Sequence, residues 1–155
     1  DGTVESGYRR ALAEHEPVFV PSRHFADDRG WSLMNQLQGV LSPKGQVNFS
    51  TQYPGVIKAW HRHKKQTDFW LVLRGHLKVG VHRQTDGVSW ARVTGEKSPG
   101  TIVIPPTLWH GAATDMAGGR GLGWVGWGGF GSPCFLCAEQ RKPWSIHPRQ
   151  RTGIG

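Results

Sequence analysis

The 155-residue chain has two cysteines, two tyrosines and two methionines, and 11 acidic residues against 19 lysines and arginines. Two cysteines exclude a disulfide-built scaffold and a four-cysteine zinc module. No apolar run approaches the ~20 residues of a membrane-crossing helix. The longest, Phe69-Trp70-Leu71-Val72-Leu73, has the length of a buried strand. There is no internal repeat and no long linker, and helix-forming sequence is confined to residues 5–14. The shortage of acid leaves a formal net charge of +8 and a pI near 10.1. An anionic partner is therefore expected, with nucleic acid among the candidates. A chain of this length fits one globular domain that buries about 70% of its unfolded surface. It does not open on methionine, as a trimmed or processed chain would not, and it shows no secretory signal. The expected compartment is the cytoplasm.

Glycine, proline and tryptophan are plentiful: 22, 10 and eight residues. From Val18 onward, short runs rich in Val, Ile, Phe, Trp and Thr alternate with Gly, Pro and Asp clusters, which is the pattern of strands and turns. Strands are expected near residues 18–21, 31–37, 45–52, 56–63, 68–74, 76–83, 89–94, 101–104, 109–114, 121–127 and 134–138. Turns are expected at Pro43-Lys44-Gly45, Pro54-Gly55, Arg74-Gly75, Asp86-Gly87 and Pro99-Gly100. Many short strands at this spacing predict an all-β sandwich or jelly-roll barrel with a short N-terminal helix. Residues 1–17 form an N-terminal extension, 18–140 the β domain, and 141–155 a Pro/Arg-rich extended tail.

The informative stretch is Gly55-Val-Ile-Lys-Ala-Trp-His61-Arg-His63-Lys-Lys-Gln-Thr-Asp68-Phe-Trp-Leu-Val-Leu-Arg-Gly75. Residues i and i+2 of a strand share a face. His61 and His63 therefore project together, above Ile57 and Ala59. Asp68 opens the next strand and shares its face with Trp70 and Val72. If the two strands pair, two imidazoles and a carboxylate converge. His110 adds a third imidazole where the buried run 101–104 ends in Pro105-Pro106 and the chain returns. His61, His63, Asp68 and His110 make a donor set for a divalent transition metal, and their spacing does not distinguish Fe, Mn, Ni or Zn. Such a site keeps positions open for Lewis-acid or proton-transfer chemistry. A plainer reading stays beside it. Histidines on a strand are often satisfied polar or surface groups, and Arg62, Lys64 and Lys65 would make this pair part of a basic solvated edge.

Other features point less sharply. Cys134 and Cys137 sit at i and i+3, on opposite faces of a strand, and read as a buried structural pair. Trp60, Trp70, Trp109, Trp124 and Trp127 fall on core strands, where they fill the core or an interface, and one or two can stack on a sugar or base. Gly118-Gly119-Arg120-Gly121-Leu122-Gly123 joins no strand to a helix, so it is a hairpin loop and not a phosphate loop, and no organic cofactor is expected. No recognition helix or RNA-binding signature accompanies the positive charge. Four of the basic residues, Lys58, Arg62, Lys64 and Lys65, crowd the His61 strand, and Arg141, Lys142, Arg149 and Arg151 lie on the tail. The charge is local, which suits a small anionic ligand and a separate basic arm.

The spacing Gly-x5-His-x-His-x4-Asp-x6-Gly resembles the first motif of the cupin superfamily, with Asp68 where glutamate is usual. The segment Gly100 to His110 resembles the second, one residue shorter and with Thr107 at the usual glycine. In cupins the positions of His61, His63, Asp68 and His110 commonly ligate a divalent metal. Upstream, Phe25-Ala-Asp27-Asp-Arg29-Gly30-Trp31 resembles the Phe-x-Asp-x-Arg-Gly-aromatic opening of dTDP-4-dehydrorhamnose 3,5-epimerases. Gln46-Val-Asn48-Phe-Ser50, Gly55 to His61 and Ile104 to Gly111 are similar to further motifs of that family. The likeness spans about residues 24–114.

The resemblance implies a cupin jelly-roll barrel, a homodimer, and a keto-sugar substrate carried on an anionic nucleotide diphosphate. It implies His61 as the base that removes a proton next to the carbonyl, and Arg29, Gln46, Asn48 and Lys58 as substrate contacts. Trp70 is a further substrate-binding candidate. Strict alternation would turn Lys58 away from His61, so its role requires a bulge. The epimerases' later tyrosine acid has no counterpart here, because Trp124 and Trp127 occupy that region. His63 or His110 is then left to return the proton. The His-x-His-Lys-Lys run also resembles sugar-nucleotide 3,4-ketoisomerases. The expected activity is thus a keto-sugar isomerase or epimerase, with no nucleic acid or membrane partner. The alternatives are a metal-dependent cupin of another class (dioxygenase, decarboxylase or lyase on a small acid) and a non-catalytic sugar- or anion-binding cupin.

Overall fold

Short strands rich in β-branched and aromatic residues pair here into two facing sheets. The computed structural model describes residues 2–43, 45, 47–114, 121–122 and 150–152. The chain opens with α1 (Val4–Glu14) and continues through β1 (Val18–Pro21), β2 (Phe25–Asp27), β3 (Gly30–Ser32), β4 (Thr51–Gln52), β5 (Ile57–His61) and β6 (Asp68–Leu71). There follow β7 (His76–Arg83), β8 (Val88–Gly95), β9 (Gly100–Ile104), β10 (Trp109–Thr114), β11 (Gly121–Leu122) and β12 (Gln150–Thr152). One sheet runs β1-β9-β6 and is antiparallel. The other runs β12-β8-β7-β10-β5, antiparallel except that β12 lies parallel to β8. β2 pairs with β3, and β4 with β11.

The period of two sorts the side chains into two cores. Phe19, Trp70, Val72, Ile102 and Ile104 face Leu77, Val79, Val81, Trp90 and Ala112 across the gap between the sheets. The alternate residues Val18, Val20, Phe69 and Val103 turn outward and are covered by Val4 and Ala11 of α1. This is the jelly-roll architecture expected from the sequence. The helix caps itself: the Thr3 side chain accepts from the Ser6 N–H at 3.1 Å. It also sits very close to the sheet. A Cβ on Gly7 would lie 2.3 Å from Val20 Cγ2, so glycine is what lets α1 settle there.

Several expected elements come out differently. The run 31–37 forms strand only through Ser32. Asn35 takes a left-handed φ of 58° and its carbonyl accepts from the Gln38 N–H at 3.2 Å, which turns the chain. Leu37 and Val40 then pack beside α1 instead. Of the run 45–52, only Thr51–Gln52 is strand among the described residues, with a single bridge residue at Asn48, and Val47 and Phe49 are both exposed. Within the basic tail, Gln150–Thr152 is a strand edge on β8. Ile57, expected beneath the histidines, is exposed. Trp124, Trp127, Cys134, Cys137 and most of the glycine-rich loop lie outside the described residues. No described helix is long and apolar enough to cross a membrane.

Ile102 lies at the centre of the inter-sheet core and is fully buried. Ile102→Ala is expected to cost about 2–5 kcal/mol in urea unfolding. Ile57→Ala, on an exposed edge position, should change stability by less than about 0.5 kcal/mol.

Candidate active site

The alternation that builds the core turns His110 and Asp68 into it, and β5 and the segment after it add His61 and His63. On β10, His110 shares the inward face of buried Ala112. On β5, His61 stands directly opposite His110. From the facing sheet, Asp68 shares the inward face of Trp70 on β6. His63 follows β5 on the segment that crosses to β6. The ligand atoms of His61, His63, Asp68 and His110 all lie within 4.8 Å of one another. Ring centroids are 4.3 Å apart for His61–His110, 5.7 Å for His61–His63 and 5.6 Å for His63–His110.

The convergence was expected from pairing of the two flanking strands, and here the structure differs. β5 pairs with β10 and β6 with β9, in different sheets. The cluster forms across the gap between sheets, which is why Asp68 is only 3% exposed. The pairing of β5 with β10 shifts register between His110↔His61 and Ala112↔Lys58, a bulge with one extra residue on β5. That is the irregularity Lys58 would need. Gly111 stands at this bulge, and a Cβ there would meet Ala59 Cβ at 2.5 Å. Any larger residue would drive the His61 strand off the His110 strand.

Asp68 is the electrostatic centre. Its Oδ1 accepts from Gln66 Nε2 at 2.6 Å. Its Oδ2 accepts from His110 Nε2 at 2.9 Å and faces His63 Nε2 at 3.3 Å. Burial by itself raises the Asp68 carboxyl, but the hydrogen bonds from His110 and His63 outweigh it and hold the group well below the usual carboxylate range. The bond to Asp68 raises the His63 imidazole above its ordinary value, against the opposing pull of burial. His61 goes the other way. Burial first, then the neighbouring His110 and His63 imidazoles, push it down to about 4, although Asp68 pulls upward. A neutral, partly open imidazole thus stands beside a carboxylate that holds two others. That is the composition of an acid–base site.

The donor set also fits a divalent transition metal. Donors at about 2.0–2.1 Å from such an ion lie a few ångströms apart, close to the spacing found here. His110 Nδ1 donates to the Leu108 carbonyl at 2.9 Å, so Nε2, on giving up the proton it shares with Asp68, would be its ligand atom. His61, His63, Asp68 and His110 would hold the ion, which would supply Lewis-acid polarisation of a substrate oxygen.

The other expected contacts are spread out. Trp70 is 3% exposed and lies against His110, 5.1 Å between centroids, and His61, at 5.9 Å, so it backs the histidines. Lys58 is exposed on β5. Arg29 lies on the β2–β3 hairpin, its guanidinium bonded to Asp27. Asn48 is exposed, and Gln46 lies outside the described residues. Arg62 stacks on Trp109, 4.7 Å from the ring centroid. A cavity of about 630 Å³ lies apart from the cluster, between the start of α1, the end of β1 and residues 34–38, and no histidine lines it. Sequence reading missed Gln66. Its position two residues before Asp68 was the available signal.

A jelly-roll barrel with a His/Asp cluster between its sheets is a cupin architecture, and comparison with known proteins narrows the likeness. No family model matches the chain. It is 37% identical over 93 residues to the spore coat polysaccharide biosynthesis protein SpsL of Bacillus subtilis, covering 56% of this chain and 62% of that protein. The chain thus spans under two thirds of that curated relative. The dTDP-4-dehydrorhamnose 3,5-epimerase of Bacillus anthracis shares the fold with a TM-score of 0.63 at 18% identity, over 88% of this chain and 89% of that one. The sugar 3,4-ketoisomerase QdtA of Thermoanaerobacterium thermosaccharolyticum, solved with TDP, shares it with a TM-score of 0.60 at 18% identity, over 76% and 84%. The likeness to the epimerase and the ketoisomerase therefore holds in the fold, and the likeness in sequence is to a polysaccharide biosynthesis protein.

Two measurements check the electrostatics. Asp68→Asn removes the charge that His63 and His110 share, and breaking such a buried pair should cost about 3–5 kcal/mol in chemical denaturation. His61 binds a proton near 6.5 when unfolded but only near 4 when folded. Its contribution to stability is therefore complete above about pH 6.5 and is lost as pH falls toward 4. His63, shifted upward, contributes with the opposite sign and loses its share as pH rises. Urea midpoints against pH should show a decline between 6.5 and 4 that His61→Phe flattens.

Proposed function

We propose that this protein is a cupin isomerase or epimerase that moves a proton next to the carbonyl of a keto-sugar, the sugar being carried on a nucleotide diphosphate. The observation that carries the reading is the asymmetry of the cluster: one neutral imidazole, His61, beside two imidazoles held by the Asp68 carboxylate. In this reading His61 removes the proton α to the carbonyl. The C–H electron pair becomes the C=C bond of an enediolate, and the carbonyl oxygen takes the negative charge. His63, bonded to Asp68 through Nε2, is the donor for that charge, and His110 supports it from its place between Asp68 and the Leu108 carbonyl. Delivery of a proton from His63 to carbon completes the exchange, and the cycle is restored when His61 releases the proton it gained to solvent and His63 takes one up. Return to the same carbon from the other face inverts it. Return to the former carbonyl carbon, with the proton of the α-hydroxyl passing to the oxygen on that carbon, moves the keto group. The second histidine takes the part that a tyrosine plays in 3,5-epimerases, which suits a chain whose tyrosines are Tyr8 and Tyr53. The likeness to the 3,5-epimerase and 3,4-ketoisomerase folds supports the substrate class.

Lys58, Arg62, Lys64 and Lys65 around β5 supply positive charge for a diphosphate. Arg29, Gln46 and Asn48 complete the proposed nucleotide contacts. A homodimer belongs to the same reading. The β2–β3 hairpin exposes Phe25 and Trp31, at 65% and 49%, and apolar surface of that kind marks an interface. We place the activity in the cytoplasm.

Incubation with a dTDP-linked 4-keto-6-deoxy sugar in deuterated water tests the proposal. Deuterium should enter at a carbon adjacent to the carbonyl. His61→Asn should slow this by about 10²–10⁴-fold, the usual weight of a general base. Failure of exchange together with no melting shift on dTDP, UDP or GDP would overturn it. Stoichiometric bound metal with indifference to nucleotides would favour a metal-dependent cupin of another class. A ligand-induced melting shift without turnover would favour a binding module.

A further inference from the structure

His63 carries a working imidazole without a strand to hold it. β5 ends at His61 and β6 begins at Asp68. Between them, the Thr107 N–H donates to the His63 carbonyl at 2.7 Å and ties this segment to the turn before β10. That N–H comes from a backbone conformation most residues avoid. Thr107 has a φ of 71°, and a β-branched side chain is poorly accommodated there. Glycine would be at ease, and the cupin motif carries glycine at this position.

An exposed threonine keeps such a conformation only if neighbours enforce it. One does. His15 Nε2 lies 2.9 Å from Thr107 Oγ1 and 3.1 Å from the Pro106 carbonyl. The Pro106 oxygen can only accept, so Nε2 carries the hydrogen and serves both oxygens. His15 is itself anchored. It is the left-handed C-cap of α1, with φ 52° and its N–H donating to the Ala11 carbonyl, and its own carbonyl accepts from Arg83 Nη1 at 2.9 Å. Among the described residues three non-glycines have positive φ, and two of them, His15 and Thr107, are bonded to each other.

We propose that His15 and Thr107 form a clamp that positions His63. α1, packed on the outer face of one sheet, holds the Pro105–Thr107 turn in a left-handed form through His15. That form aims the Thr107 N–H at His63 and keeps the His63 ring within reach of Asp68. Both are positioning residues and touch no reacting atom. The catalytic consequence rests on His63 serving in the proposed reaction, but the clamp itself is measurable without turnover.

The test contrasts two substitutions at the exposed Thr107. Both remove the hydroxyl, but only glycine keeps the left-handed turn unaided. The readouts are hydrogen exchange of the residue-107 amide and the His63 ring N–H signal in ¹⁵N-histidine-labelled protein, assigned by its loss in His63→Asn. Thr107→Ala should speed amide exchange about tenfold or more and broaden or shift the His63 signal. Thr107→Gly should keep the amide protected within about twofold and leave the signal in place. His15→Phe should behave like Thr107→Ala, His15→Gln should retain the bond through its amide N–H, and H15F/T107G should restore what H15F loses. Equal behaviour of T107A and T107G, or no restoration in the double variant, overturns the clamp. Should H15F fail to fold, the contrast at Thr107 decides alone. With a 4-keto sugar nucleotide, T107A should lower kcat about tenfold and leave KM within about twofold. Wild-type protein without turnover would refute the proposed reaction, and the NMR arms would still decide the clamp.

Discussion

Everything at the centre of this protein depends on one ionised carboxylate kept inside a barrel. Asp68 lies almost fully buried between the sheets, and a bare charge there would be prohibitive. Gln66, His110 and His63 supply the donors that make it tolerable. In turn the carboxylate fixes two of the three imidazoles and leaves His61 outside that set. Two chemistries, proton transfer and metal ligation, can use the same four side chains, because both need a carboxylate that organises histidines in a low-dielectric gap.

The surrounding fold can be read as the support of that arrangement. The inter-sheet core from Phe19 to Ala112 keeps the sheets at the spacing that lets β5 and β10 reach β6. Gly111 permits the close approach of β5 to β10 beside the His61–His110 pair, and the bulge shifts Lys58 out of simple alternation. On the outside, α1 covers Val18, Val20, Phe69 and Val103, and through His15 it reaches the turn that leads into His110. Stability and site geometry therefore share residues.

Much of this was legible in the sequence. Alternation of apolar residues gave the strands from β6 to β10 nearly in place, since each has a face on a core. The same alternation failed for 31–37 and 45–52, where Asn35 turns the chain and Val47 and Phe49 are exposed. The four residues of the cluster were recognisable from spacing and motif. Gln66 was not, because an amide two residues before an aspartate has no distinctive pattern. The Thr107 departure was visible as a missing glycine, but its partner lies 92 residues earlier, and no local pattern links the two.

The sequence by itself determined the class of fold and the local concentration of positive charge near β5, because these follow from periodicity and composition, and it singled out the three histidines and the aspartate by their spacing. Only the tertiary structure decided that β5 and β6 belong to different sheets, so that the site forms across the core. Only it distinguished the three histidines, because burial and shared hydrogen bonds, set by residues far apart in the chain, lower His61 and raise His63. Identical side chains acquire different protonation behaviour from their surroundings, and those surroundings exist only once the sheets have closed.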